Sequence, residues 1–200
     1  MNKFIYFFYN RTMKKIYQIT LTIYILTILY IGFTHFQYTL FISVILLAPL
    51  LFVKNKLYQT EYLIYVYLTQ VLGTSCQFYN FPYYDKCMHF LSGAIFVILA
   101  YFTLKNHIPE KKYLYLMMNC VEMAIAFLWE VFEYSGLILF NYDASRHYTT
   151  GVHDTMQDMI FSFIAGLIIS YVIYKYPSYI DSLYKSPQDN PPVISQQSHI

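Results

Sequence analysis

Carboxylates stand in a part of the chain that is otherwise apolar enough to enter a bilayer. Glu130 and Glu133 lie three residues apart in the segment LWEVFEYSG, and Glu122 precedes them in the same apolar run. An acid at the centre of a bilayer helix costs about 2.5–3.5 kcal/mol on insertion scales, so such residues are usually paired or serve a function. The three acids therefore predict a site that holds a cation or a proton.

Two further segments place acids and a histidine where an apolar run begins. Asp85 and His89 are four residues apart, and Asp154 and Asp158 repeat that spacing. Residues at i and i+4 share one face of a helix, so each pair points the same way. We predict one polar site, to which the three segments contribute. The predicted metal ligands are His89, Glu133 and Asp158, and the predicted catalytic residues, acting as outer ligands or proton acceptors, are Asp85, Glu130 and Asp154.

The composition indicates a membrane protein. Of its 200 residues 58% are hydrophobic and only 12% are charged, whereas soluble domains carry about 25% charged residues. A bilayer span needs about 20 mainly apolar residues. The chain has six such runs, at 16–33, 36–53, 61–79, 88–104, 113–140 and 157–174. We predict an all-α, polytopic bundle of about six transmembrane helices, with the lipid bilayer as partner, no nucleic acid, and a break near Gly136 in the long fifth run.

Basic residues set the predicted orientation, because cytoplasmic loops are enriched in Lys and Arg. Eleven of the 13 fall at the two ends of the chain and in the second and fourth connections, and only Lys86 and Arg146 fall on the other side. Both termini are therefore predicted to be cytoplasmic and the acids to face outward. The predicted division is a cytoplasmic segment at 1–15, a transmembrane domain at 16–175 and a flexible cytoplasmic tail at 176–200.

Three motifs carry a family resemblance. They are D-K-x-x-H-F-x-S-G at 85–93, W-E-x-x-E at 129–133, and H-D-T-x-x-D at 153–158 followed by F-x-x-G. Their order and spacing resemble the YjdF family of uncharacterised bacterial inner-membrane proteins. The first motif is also similar, more distantly, to VanZ-like membrane proteins. The resemblance implies a polyhelical fold in a bacterial cytoplasmic membrane, and it brings no established reaction.

Four functions fit these residues. A metal-dependent enzyme would use a divalent ion to activate water against a lipid-linked or anionic envelope substrate, with Lys86, Arg146 and Trp129 binding that substrate. A transporter or proton-coupled carrier would use Glu122 as a proton relay. A binding protein without turnover and a purely structural bundle are the other two. The enzyme is favoured over the carrier because the acids gather at one end, with no matching acid beyond Glu122.

Overall fold

The computed structural model describes residues 3–34, 38–144 and 148–184, which form helices and the turns between them. No β-strand occurs in these three ranges, which confirms the all-α prediction. The α-helices are α1 (Lys3–Thr34), α2 (Tyr38–Ile45), α3 (Lys56–Val66), α4 (Tyr84–Leu104), α5 (Lys111–Phe140), α6 (Val152–Lys175) and α7 (Pro177–Leu183).

Three of the described helices, α4, α5 and α6, are long and apolar enough to cross a membrane. They correspond to the fourth, fifth and sixth predicted runs, and a total of six spans stays a prediction. The predicted break near Gly136 is wrong, because α5 continues through this residue to Phe140. A helical glycine costs only about 1 kcal/mol relative to alanine, which packing readily offsets. The helix ends instead at Asn141, which adopts a left-handed conformation with φ 53°.

The second and third predicted runs fold less regularly. The second forms the short helix α2 and then a 3₁₀ turn at Ala48–Leu51 with Pro49 in its first turn. Proline lacks the N–H that a helix interior needs, so the apolar run is divided there. The third run begins within α3 and continues as a π-helix at Tyr67–Ser75. Since π-helical turns are rare and frequently found at functional sites, this segment matters for the cavity described below.

The helices α4, α5 and α6 pack against one another, and we call them the three-helix core. Lys86 meets Asp154 and Ser92 meets Ser162, so α4 and α6 run parallel. Gly93 makes their close approach possible, since a Cβ atom at this position would lie 2.0 Å from the Ser162 carbonyl oxygen. Small residues commonly serve this purpose between membrane helices.

The described residues nearest the two ends of the chain are helical. α1 begins at Lys3, so one helix passes through the predicted boundary between residues 15 and 16. In the predicted flexible tail, Pro177–Leu183 forms α7. Asp181 Oδ1 accepts hydrogen bonds from the Tyr101 hydroxyl at 2.9 Å and the Lys105 ammonium at 2.7 Å, which hold α7 against the end of α4. The rest of the predicted tail, from residue 185, lies outside the described residues.

The predicted orientation can be tested by cysteine labelling. Cys76, Cys87 and Cys120 are free thiols, so they would first be replaced by alanine. In that background an Asn141→Cys variant is expected to react with an impermeant maleimide on intact cells, because Asn141 is exposed beyond the predicted outer end of α5. The control is His107→Cys, at the exposed turn between α4 and α5, which should react only after the membrane is permeabilised. The reverse pattern would overturn the orientation.

Candidate polar site at the acidic end of the bundle

Apart from Glu122, which lies deeper in the bundle, the predicted site residues that the structure describes lie together in the three-helix core. They occupy the beginning of α4, the beginning of α6 and the second half of α5, and we call this region the acidic end. It forms because α4 and α6 are parallel, so their first turns meet, while the antiparallel α5 brings its last turns to the same level. Arg146, which the sequence predicts as a substrate-binding residue, lies outside the described residues.

Lys86 is buried at the centre of the acidic end. Its ammonium donates hydrogen bonds to Asp154 Oδ1 at 2.6 Å and Asp158 Oδ1 at 2.7 Å, and it lies 3.4 Å from Asp85 Oδ2. Only 8% of the residue is exposed. Buried charges of this kind must be paired, and here one ammonium bridges α4 and α6. The sequence predicts Lys86 as a substrate-binding residue, and this role stays a prediction; in the structure its ammonium pairs with Asp154 and Asp158.

His89 lies beside this ion pair and has two carboxylates within reach. Its Nε2 atom is 3.6 Å from Asp85 Oδ1 and 3.7 Å from Asp158 Oδ1. One ligand atom from each of the three residues lies within 4.8 Å of the others. We call Asp85, His89 and Asp158 the ligand trio. Two atoms bound to one tetrahedral Zn²⁺ at about 2.0–2.2 Å are separated by about 3.4 Å. The separations of 3.6 and 3.7 Å from His89 Nε2 to the two carboxylate oxygens are close to that value.

Glu133 lines two cavities together with members of the ligand trio, but it is not one of the three residues whose ligand atoms lie within 4.8 Å of one another. The Trp129 indole N–H donates a hydrogen bond to Glu133 Oε1 at 2.8 Å. Both residues line an outer cavity of about 380 Å³, which Asp85 also lines. Both also line an inner cavity of about 60 Å³, which His89 lines. The three residues grouped within 4.8 Å thus include Asp85 and not Glu133, while Glu133 lines both cavities; its predicted role as a metal ligand stays a prediction.

The carboxyl group of Glu130 is buried without a hydrogen-bond partner that would offset the loss of water. Only 6% of the residue is exposed, and neither carboxylate oxygen has a hydrogen-bond partner among the described residues. Thr155 faces it from α6 without reaching hydrogen-bonding geometry. A buried acceptor left in this state costs about 1–3 kcal/mol, and more when it is charged. Such a group is expected to hold a proton or to interact with a ligand.

The acidic end carries more acids than it can neutralise with its own lysine. Full ionisation would set five carboxylates against one ammonium, a net charge of −4 for this part of the three described helices. The five carboxylates are those of Asp85, Glu130, Glu133, Asp154 and Asp158, and the ammonium is that of Lys86. Removing several like charges from water is costly unless a counter-charge accompanies them. The region therefore requires bound protons, a bound cation, or both.

A second polar layer lies deeper in the bundle. The Ser162 hydroxyl donates to Glu122 Oε1 at 2.6 Å, and Ser92 Oγ lies 3.3 Å from Ser162 Oγ. One turn farther along, the Asn119 side-chain amide donates to Ser170 Oγ at 2.8 Å. Sequence reasoning missed this last pair, although an asparagine within an apolar run is a detectable signal. Polar groups thus continue beyond Glu122, the predicted proton relay.

Comparison with known proteins supports the membrane assignment. A family model described as a predicted membrane protein, DUF2238, matches residues 13–178. The YjdF family falls within this family, while the likeness to VanZ-like proteins stays a prediction. No curated protein and no solved structure matches the chain. The roles of individual residues must therefore be argued from their geometry.

Proposed function

The chain belongs to this family of predicted membrane proteins, and we propose that it is a metal-dependent membrane enzyme acting on a lipid-linked or other cell-envelope substrate. The observation that carries the proposal is the ligand trio of Asp85, His89 and Asp158, whose donor atoms lie within 4.8 Å of one another. The trio belongs to a region with excess buried acid, and it borders a cavity large enough for a small polar group.

The donor set indicates the class of metal. One imidazole nitrogen and two carboxylate oxygens suit Zn²⁺ or Mn²⁺ better than soft ions, which prefer thiolates. Three protein ligands leave a coordination position open for water or substrate, as catalytic sites require. A metal ion bound there would polarise a substrate oxygen or activate water. It would also neutralise part of the excess negative charge that Lys86 leaves.

Lys86 has a positioning role in this account. Its ammonium holds Asp158 Oδ1 at 2.7 Å and Asp154 Oδ1 at 2.6 Å, so it fixes the direction of one member of the trio. Groups that orient metal ligands are part of such sites and affect both affinity and activity. Asp154 would then act through Lys86 and not by direct contact with the metal.

Glu133 is the proposed proton acceptor. It faces the outer cavity opposite Asp85, and its hydrogen bond from Trp129 fixes the orientation of the carboxylate. A general base must lie within hydrogen-bonding reach of the proton it removes, and a substrate in this cavity would contact Glu133. Glu130 lies one turn away on α5 and is a second candidate for proton transfer.

The two cavities support a substrate with a polar head. The outer cavity of about 380 Å³ has mixed polar walls, including Gln70, Thr74 and Asn80, and lies within the range of about 300–1,000 Å³ typical of small-molecule sites. The inner cavity is lined largely by apolar side chains such as Phe96 and Ile125. We propose that the head group binds in the outer cavity, where the metal would bind the anionic group of the substrate that the sequence assigns to Lys86 and Arg146.

The proposed location is the bacterial cytoplasmic membrane, with both termini in the cytoplasm and the acidic end outward. The distribution of lysine and arginine supports this arrangement, since 11 of the 13 fall on the predicted cytoplasmic side. A site facing outward would meet lipid-linked cell-envelope precursors and not soluble cytoplasmic metabolites.

Metal-dependent thermal stability tests the proposal. A metal at 100 times its Kd stabilises the folded state by about 2.7 kcal/mol, so Mn²⁺ or Zn²⁺ should raise the Tm of the detergent-purified protein and a chelator should lower it. His89→Gln should abolish that response. The control is Asp181→Asn, which removes an acid at the opposite end of α4 and should keep the response. A His89→Gln variant that still responds to metal like the parent would contradict the proposed site.

A further inference from the structure

We propose that Glu122 is a proton-storing site in the middle of the bundle, which exchanges its proton with the acidic end through Ser162 and Ser92. This function goes beyond the proposed metal chemistry and does not depend on it. It assigns a role to a deeply buried acid that does not belong to the ligand trio. It also assigns a role to two serine hydroxyls on the neighbouring helices.

Glu122 is almost fully enclosed and only half satisfied. It is 1% exposed. Its Oε1 atom accepts the hydrogen bond from Ser162, while its buried Oε2 atom has no hydrogen-bond partner among the described residues. A Cβ atom added at Gly166 would lie 3.0 Å from Oε2, so the glycine leaves space for the carboxyl group. An ionised carboxylate with one hydrogen bond is costly in such surroundings, so the resting group is the neutral acid.

A connected set of polar groups leads from Glu122 toward the acidic end. Ser162 Oγ lies 2.6 Å from Glu122 Oε1 and 3.3 Å from Ser92 Oγ. Ser92 lines the inner cavity of about 60 Å³, together with His89 and Glu133. A water molecule needs about 10–15 Å³ of such volume, so the cavity has room for several. Glu133 also lines the outer cavity, which completes the connection to the site.

The transfer can be written without any redox partner. The Glu122 carboxyl gives its proton to Ser162 Oγ while the Ser162 proton passes to Ser92 Oγ. The Ser92 proton passes to water in the inner cavity, and the Glu133 carboxylate accepts one proton from that water. The net change is one ionised Glu122 and one protonated Glu133. Both serine hydroxyls must rotate for this step, because Ser162 now donates to Glu122 Oε1 at 2.6 Å and Ser92 now donates to the His89 carbonyl oxygen at 2.7 Å. The protonated Glu122 carboxyl must likewise turn its O–H group toward Ser162 Oγ.

Within the described part of the chain, the connection ends at Glu122 and does not cross the bundle. The next polar pair inward, Asn119 and Ser170, forms hydrogen bonds of 2.8 and 3.2 Å within itself. Asn119 also donates to the Tyr115 carbonyl oxygen at 2.8 Å. These groups satisfy one another and present no acid. Glu122 therefore stores a proton for the acidic end and does not conduct protons across the membrane.

Infrared spectroscopy of the full chain in lipid tests this inference. The carboxyl stretching region should contain a band from the protonated acid that disappears in Glu122→Gln. On transfer to D₂O, the band of the parent should shift as its proton exchanges. Ser162→Ala should slow that exchange by about tenfold or more, because it removes the only hydroxyl that bonds to Glu122 among the described residues. Ser92→Ala should also slow it, which provides a second variant if Ser162→Ala does not insert.

The matched control is Ser170→Ala, which removes an equally buried hydroxyl from the same helix but lies beyond Glu122. In this variant the proton of Glu122 should exchange with D₂O at the rate of the parent. The band should also persist in His89→Gln and in the presence of a chelator, so that failure of the metal site and failure of the proton site are distinguishable. Absence of a Glu122-dependent band would overturn the inference, and so would parental exchange rates in both Ser162→Ala and Ser92→Ala.

Discussion

A Lys86→Met variant is expected to lose about 3–5 kcal/mol of folding free energy, the usual result of removing one partner from a buried ion pair. The lysine bridges Asp154 and Asp158 between α4 and α6, and its loss leaves both aspartates buried without their ammonium. Methionine keeps the length and apolar stem of the side chain, so the change reports mainly on charge. The measurement is thermal or denaturant unfolding in a defined detergent.

Two controls separate this effect from a general loss of packing. Lys112→Met removes an exposed lysine that pairs with Glu110 at the other end of the bundle, and surface pairs of this kind contribute little. The double variant Lys86→Met with Asp158→Asn should recover part of the loss, because one unpaired charge is then absent. If Lys86→Met unfolds like the parent, the aspartates are already neutral and the ion pair described here is wrong.

An Asp158→Asn variant is expected to weaken metal binding by more than about 100-fold, whereas Glu133→Gln should change it by less than about tenfold. Asp158 supplies a carboxylate oxygen 3.7 Å from His89 Nε2, within the ligand trio. Glu133 is not a member of the trio, and its carboxylate accepts a hydrogen bond from Trp129. Glu133→Gln should instead lower catalytic activity, since it removes the proposed proton acceptor. Isothermal titration with Mn²⁺ or Zn²⁺ measures the affinities.

Asp154→Asn is the matched control for Asp158→Asn. It removes the other aspartate that bonds to Lys86 but no member of the trio, so it separates loss of a ligand from disturbance of the lysine. Its metal affinity should fall by far less than that of Asp158→Asn. Equal losses for Glu133→Gln and Asp158→Asn would contradict the trio and restore Glu133 to the ligand position that the sequence predicts.

The sequence predicts the meeting of α4 and α6 for a clear physical reason. Spacing of i, i+4 places Asp85 with His89, and Asp154 with Asp158, on single faces of their helices. Since charged groups in membrane helices avoid lipid, these faces turn toward each other. Sequence reasoning does not reveal where Lys86 points. Its neighbours in the chain are compatible with an exposed loop cation, and only the packing of α4 on α6 buries it.

The sequence also does not show whether Asp85 or Glu133 lies within ligand distance of His89 and Asp158. Both residues lie at the same end of the bundle, and helical periodicity fixes their directions but not the distances between helices. The close approach at Gly93 brings α4 to α6 and thereby Asp85 to Asp158. Glu133 on α5 is not grouped with these ligand atoms, and it lines the outer cavity together with Asp85. Interhelical distance therefore decides which carboxylates can share a cation.

Element analysis of the protein tests the central claim most directly. The chain would be purified in detergent without chelator, and its metal content measured alongside that of His89→Gln and Asp181→Asn. The account predicts Zn²⁺ or Mn²⁺ in a roughly 1:1 ratio to the chain in the parent and in Asp181→Asn, with almost none in His89→Gln. A parent protein that contains no divalent metal, and whose Tm does not change when Mn²⁺ or Zn²⁺ is added, would contradict the metal site.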